Sequence, residues 1–174
     1  MGGPVTYDEL SNYMQGDKEP WLSNRWRVLQ FPTINGYTPS PLMCESLDLP
    51  LPEFDVRTKH YGAWSMHFAG GSKMDGFSMQ MYVDDAWRSV KYIWDWFNTI
   101  QDFDKGGFYL PSYYMKNLQV ALYDTKGATI LTSTIEDIFP ISMGSPALSA
   151  ESQKLSITVN FKAYWQDLKW SKSV

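Results

Sequence analysis

Two runs of strictly alternating polar and apolar residues, at 53–59 and 77–83, constrain the fold of this chain more than any other feature. Glu53, Asp55, Arg57 and Lys59 share one parity, and Phe54, Val56 and Thr58 the other. Ser78, Gln80 and Tyr82 oppose Phe77, Met79, Met81 and Val83 in the same way. Strand side chains alternate between faces, so each run reads as a sheet with one dry face and one wet face. No chemistry-bearing cluster accompanies the charged face. It reads as a surface, not a site.

A helix follows, predicted over 85–100 with Asp84 or Asp85 as its N-cap. Trp87, Val90, Ile93, Trp94, Phe97 and Ile100 recur every three or four residues and form one apolar stripe. Trp87 and Trp94 on that stripe are assigned to the core. Trp96 falls off it and is a candidate interface anchor.

Other segments alternate too. Strands are predicted at 24–31, at 42–47 before Pro50 and Pro52, and at 117–122, where a turn at 125–127 leads to a partner over 129–138. Residues 53–69 read as a long hairpin turning near Gly62, and 32–41, with three prolines, as a loop. In the last strand, 153–165, Leu155, Ile157, Val159, Phe161 and Ala163 face inward, opposite Lys154, Ser156, Thr158, Asn160 and Lys162. Thr6 and Glu9 form a capping box for a short N-terminal helix over 7–14. The predicted fold is mainly β: an antiparallel β-sandwich or barrel with one long flanking helix and a short N-terminal one. At 174 residues it is read as one domain, with 1–20 as an N-terminal arm.

A net charge of −4 gives no basic stripe for tight nucleic-acid binding. One cysteine, Cys44, rules out an internal disulfide framework and suits a reducing compartment. No signal peptide and no apolar run of membrane-spanning length are read, so a soluble, cytoplasmically made protein without membrane insertion is expected. Aromatic residues make up 16% of the chain, which points either to a carbohydrate platform or to extensive contact between subunits.

The search for chemistry returns little. His60 and His67 lie on opposite arms of the hairpin without a third ligand at a useful spacing. Gly70 and Gly71 are not followed by a phosphate-loop pattern. No catalytic residue, metal or cofactor is assigned.

The order of elements resembles that of the tail tube proteins of contractile-tailed bacteriophages. The strand from Cys44 to Leu49 with Pro50 after it, the charged hairpin ending at Ala69 and Gly70, and the FSMQMYVDD junction come first. The YIWDWF helix, the LQVALYD strand, the IFPISMG strand and the terminal SITVNFKAYW strand follow. The resemblance implies a hexameric ring whose strands close a shared inner β-barrel. It further implies stacked rings forming a hollow tube within a contractile sheath, nucleated by a baseplate tube initiator. The tape measure protein and double-stranded DNA would pass through the lumen, and the protein's place would be the virion tail. A baseplate initiator of the same fold is an alternative role. A carbohydrate-binding β-sandwich is the alternative from another class.

A barrel with a wet lumen demands the alternation seen above. On that reading Glu53, Asp55, Arg57, Lys59, Ser78 and Gln80 line the channel, with Lys154, Ser156, Thr158 and Asn160 beside them. Mixed sign suits passage, because a basic wall would hold duplex DNA at about one phosphate per 1.7 Å. Contacts between subunits or stacked rings are expected from Pro50, Pro52, Tyr61 and Trp64 of the arm, from Lys105, Phe108 and Tyr109 of the loop after the helix, and from Trp96.

Overall fold

The computed structural model describes residues 22–146, 148 and 154–171. The short helix expected at 7–14 lies outside the described residues. The strands are β1 (Trp26–Gln30), β2 (Cys44–Leu47), β3 (Pro52–Tyr61), β4 (Trp64–Met74), β5 (Phe77–Tyr82), β6 (Lys116–Tyr123), β7 (Thr129–Met143), β8 (Ser156–Lys162) and β9 (Trp165–Trp170). The long helix is α1 (Arg88–Ile100), and one turn, α2 (Pro111–Tyr114), precedes β6. The fold is therefore mainly β with antiparallel pairing throughout, as the alternation predicts.

The pivot is β7, whose 15 residues serve two layers. Its first part pairs with β6 on one side and β9 on the other, and Phe139 to Met143 pair with β8. The change of layer falls at Asp137, whose φ of 52° turns the strand. Asn117 Oδ1 accepts the Asp137 N–H at 3.1 Å, so the turned backbone keeps a partner. Opposite this corner the chain breaks between β8 and β9, and the Tyr164 N–H donates to the Glu136 carbonyl at 3.2 Å. The strand predicted over 153–165 thus ends at Lys162 as β8, and Trp165 opens a separate strand, β9, the two bending together with β7. One layer is β1-β6-β7-β9 and the other is the end of β7 with β8, β5 and β2. Among the described residues the path is open, ending at β1 and β2, and no barrel closes within one chain.

The core lies between the layers and under α1. Val28, Leu118, Val120 and Ile135 meet Met79, Met81, Ile157, Val159 and Phe161, all essentially inaccessible. Each such side chain contributes about 1.5–3 kcal/mol on burial. A one-residue slip would turn the whole set outward, so the alternation fixes register.

The helix differs from expectation in its register. It begins at Arg88, after Trp87 at φ 54°. The N-cap is Trp87, not Asp84 or Asp85; the Asp84 carboxylate, one turn ahead, accepts the Arg88 N–H at 2.7 Å and pairs with its guanidinium at 2.8 Å. The buried face is Ser89, Tyr92, Ile93 and Trp96. Trp87 and Trp94, assigned to the core from the stripe, face solvent, while Trp96 is 1% exposed. The cause is local. The Tyr92 hydroxyl donates to the Pro32 carbonyl at 2.8 Å, and the Trp96 indole N–H donates to the Tyr114 carbonyl at 2.8 Å. With their polar ends satisfied, these two rings can enter the core. The proline-rich loop provides the cover, placing Phe31 and Tyr37 edge-on to Tyr92 at 6.4 and 6.1 Å.

Candidate assembly surfaces

The sheet β2-β5-β8 with the end of β7 buries one face and wets the other. Register places Ser78 opposite Asn160, Gln80 opposite Thr158 and Tyr82 opposite Ser156. Five lumen candidates, Ser78, Gln80, Ser156, Thr158 and Asn160, therefore share one polar face. They are cross-linked: Ser46 donates to Gln80 Oε1 at 3.4 Å, and Gln80 Nε2 donates to Ser156 Oγ at 2.8 Å. Asn160 Nδ2 donates to Ser142 Oγ at 2.8 Å, and the Ser78 hydroxyl donates to the Asp48 carboxylate. Ser46 and Ser142 were missed by the sequence reading, because β2 spans only four residues and the strand read over 129–138 runs on to Met143. Lys154 sits at the margin, paired with Glu45 and 5.4 Å from the Tyr82 ring centre. The middle of the face carries hydroxyls and amides. Its two lateral edges, β2 and Phe139–Met143 of β7, have no outer strand partner among the described residues.

The second surface is the ribbon formed by β3 and β4, which pair with each other and, among the described residues, with no other strand. It leaves the sheet where β2 ends and β5 begins and turns between Tyr61 and Trp64. Every residue of β3 is exposed. Opposite Asp55 the ladder skips one residue, so Gly70 and Gly71 face a single residue of β3. A Cβ on Gly70 would lie 2.8 Å from the Asp55 carbonyl oxygen, which is why glycine stands there.

The pairing segregates charge. One face holds Glu53, Asp55, Arg57 and Lys59, with Lys73 from β4 at 3.7 Å from both carboxylates. Toward the tip the same face carries Tyr61, Trp64, Met66 and Phe68, and the Lys59 ammonium lies 5.2 Å from the Tyr61 ring centre. The other face holds Phe54, Val56, Thr58 and His60 with Ser65, His67 and Ala69. His67 Nδ1 lies 3.0 Å from the Thr58 hydroxyl and His60 Nδ1 lies 2.8 Å from that of Ser65. Among the described residues no group of three metal-binding side chains forms around them. Phe54 and Val56, expected on a dry face, are 63% and 69% exposed, because no described residue forms a layer beneath them. The ribbon also stands apart from the wet sheet face, so the ten lumen candidates occupy two surfaces, not one continuous sheet.

Of the contact candidates, Pro52, Tyr61 and Trp64 are exposed on the ribbon, and Lys105, Phe108 and Tyr109 on the loop after α1. That loop is held by Asp102 Oδ1, which accepts the N–H groups of Asp104 and Lys105 at 3.0 and 3.1 Å. Pro50 and Trp96 are corrections. Both are buried within the chain and have no surface to offer a second subunit. Cys44, on β2, has its thiol pushed up to about 12, first by burial and then by the neighbouring Glu45 charge. No helix of the described residues is long and apolar enough to cross a membrane.

Two antiparallel layers that share one bent strand, a flanking helix and a projecting hairpin make this a tail-tube-like fold. The tube-terminating cap of an anti-feeding prophage matches with a TM-score of 0.66 at 16% identity, over 87% of this chain and 92% of that one. The sheath–tube complex of the PVC extracellular contractile injection system in its extended state matches at 0.65 and 16%, over 92% and 97%. The sheath/tube terminator of the same system matches at 0.64 and 16%, over 86% and 96%. At such identity the likeness is one of fold. No family model matches the chain, and no curated protein matches its sequence.

Proposed function

We propose that this chain is a self-assembling structural subunit of the tube of a contractile, phage-tail-like particle. The observation that carries the reading is the four-stranded sheet with a neutral wet face and two edges that no described strand covers. Unpaired edges are adhesive unless another strand covers them. The edges β2 and the end of β7 differ, so pairing one with the other on the next copy is head-to-tail and closes a ring if the rotation permits. In a hexamer, repeated closure turns the wet faces inward and makes a shared inner barrel.

Ser78, Gln80, Ser156, Thr158 and Asn160 then line the channel, joined by Ser46 and Ser142, with Lys154 at its rim. Glu53, Asp55, Arg57 and Lys59 extend the wet wall on the ribbon. A wall of hydroxyls and amides has little hold on a passing polyanion, which suits transit of duplex DNA or of an extended tape measure protein. Pro52, Tyr61, Trp64, Lys105, Phe108 and Tyr109 contact the stacked ring. A sheath protein surrounds the tube, a baseplate initiator nucleates it, and the subunit resides in the particle's tail. No catalytic role is assigned.

Negative-stain electron microscopy of the purified chain over a range of concentrations tests this. Stacked rings or hollow tubes are expected. Single rings at every concentration would reassign the chain to an end-capping or initiating position. Monomers at every concentration would overturn the reading.

A further inference from the structure

Each layer is four strands wide, β1-β6-β7-β9 in one and the end of β7 with β8, β5 and β2 in the other. β9 and β8 run along the same side of β7, since Glu136 pairs with Trp165 and Phe139 with Lys162 without a change of register. β6, with β1 beyond it, occupies the opposite side. Among the described residues, the free edge of β1 therefore looks the same way as the bare end of β7, and the free edge of β9 the same way as β2. Seating β2 of one copy on the end of β7 of the next, as in the ring above, carries β9 of the first copy to β1 of the second. One four-strand step serves both layers.

The outer meeting is not a strand pairing. Layers pack about 10 Å apart, so in a ring of six each outer step is longer than the inner one by about 10 Å. That gap is too wide for backbone hydrogen bonds and suits long side chains. Closure itself still rests on β2 and the end of β7. The two margins carry side chains of the right kind. Arg25 and Arg27 are the only charged residues of 22–31, and neither has an ion-pair partner among the described residues. Directly opposed strand residues share a face, and the pairs Arg27–Ala121, Ala121–Thr132 and Thr132–Lys169 put Arg25 and Arg27 on the same face as Trp165, Asp167 and Lys169. Asp167 Oδ2 lies 3.3 Å from Lys169 Nζ, which leaves Oδ1 for a second cation.

Strands of a closed barrel tilt by about 35–45°, which staggers successive copies by about four residues over a four-strand step. Within one copy Arg27 is level with Thr132, and the residue four further along β7 is Glu136, opposite Trp165. The same stagger brings Arg25, two residues before Arg27, level with Thr134, opposite Asp167. We infer that Arg25 and Arg27 of one copy clasp β9 of the next, Arg25 as an ion pair with Asp167 and Arg27 over the indole of Trp165, in an outer seam between neighbouring subunits. The inference rests on the ring reading above and adds the contact that ties the outer layers. The Trp165 ring is 50% exposed and Glu136 stands beside it, so an arriving guanidinium meets both a π face and a carboxylate. Both margins lie on the face turned away from the channel, where the contact stays wet and acts through charge complementarity.

The test is a charge swap in the full chain, read by sedimentation velocity and negative stain at low ionic strength. Arg25→Asp/Arg27→Asp makes both margins acidic, and Glu136→Lys/Asp167→Lys makes both basic. Each variant alone is expected to raise the concentration for half-assembly at least about tenfold, with Tm kept within about 2 °C of the parent. Their equimolar mixture is expected to assemble within about threefold of the parent, because in a ring where they alternate every seam again joins opposite charges. Arg25→Gln/Arg27→Gln, which removes the cations without reversing them, is expected to lose at least about threefold. Variants that assemble like the parent would overturn the inference and leave the tube reading standing, and so would defects that the mixture does not repair. Normal assembly of the glutamine variant would overturn it even where a swapped variant fails to fold. A parent chain monomeric at every concentration would overturn both.

Discussion

The Trp96 indole N–H donates to the Tyr114 carbonyl at 2.8 Å from the fully buried face of α1, tying the helix to the turn that launches β6. The same ring lies 5.6 Å from Phe161 in the opposite layer, so one side chain joins helix, turn and sheet. Trp96→Ala is expected to cost about 3–5 kcal/mol, since it combines a large cavity with an orphaned carbonyl. Trp94 is 53% exposed and stacks on the exposed Phe103 at 5.7 Å, so Trp94→Ala is expected to cost about 1 kcal/mol or less. Urea unfolding of the two variants checks this. A larger loss for Trp94→Ala would place the helix in the register its apolar stripe suggests.

That register marks the boundary of what the residues alone disclose. Strand faces were legible because their period is two and each face is uniform: Met79 and Val159 inward, Gln80 and Thr158 outward. Helix rotation was not legible, because Tyr92 and Trp96 count as buried only when distant carbonyls, of Pro32 and Tyr114, receive their polar ends. The bend of β7 at Asp137 was hidden for a similar reason, since the side chain that steadies it, Asn117, lies in another strand. At the candidate surfaces the charge pattern of β3 was visible, but the isolation of the ribbon was not. Alternation shows that two faces differ; it does not show that each has a neighbour. Pro50 was misplaced on similar grounds, a proline between strands that turns out to be covered.

Two glycines separate the stability of the core from that of the ribbon. A Cβ on Gly76 would overlap the Phe161 carbonyl oxygen in the core sheet, and backbone there cannot yield cheaply. Gly76→Ala is expected to cost about 3 kcal/mol and to lower Tm by roughly 6–12 °C. Gly70→Ala meets the Asp55 carbonyl in the ribbon, outside the core. It is expected to leave Tm within about 2 °C while impairing assembly. Calorimetry with parallel sedimentation distinguishes them, and a large Tm loss in Gly70→Ala would mean the ribbon folds cooperatively with the core.

Cys44 offers a solution probe of the β2 edge. With its thiol pushed up to about 12, it stays protonated at pH 8 in the folded chain. Alkylation by a maleimide at pH 8 is expected to be slower by about a hundredfold or more than in denaturant. The sign for stability follows: the unfolded thiol ionises near the ordinary value of 9.0 and the folded one does not, so this contribution is intact below pH 9 and is lost as pH rises toward 12. Cys44→Ala is expected to remove that part of the alkaline destabilisation. Fast labelling of the folded chain would show that the thiol is not desolvated.

Ile141 and Leu29 carry the last prediction, since they separate the edge proposed for ring closure from one with no such role in the proposal. Both lie on strand margins and are similarly exposed, at 49% and 42%. Ile141 lies on the bare end of β7, beyond the reach of β6, and Leu29 on β1 at the other end of the sheet path. A charge at either site touches no core contact, so Ile141→Lys and Leu29→Lys are each expected to change stability by about 0.5 kcal/mol or less. Their assembly should diverge. A lysine on an edge that must accept another strand acts as natural edge protection does, and it blocks pairing. Ile141→Lys is therefore expected to remain monomeric where Leu29→Lys forms rings, as read by sedimentation velocity at matched concentration. The opposite result would move the ring contact to β1, and the wet face of β5 and β8 would then lose its claim to line a channel.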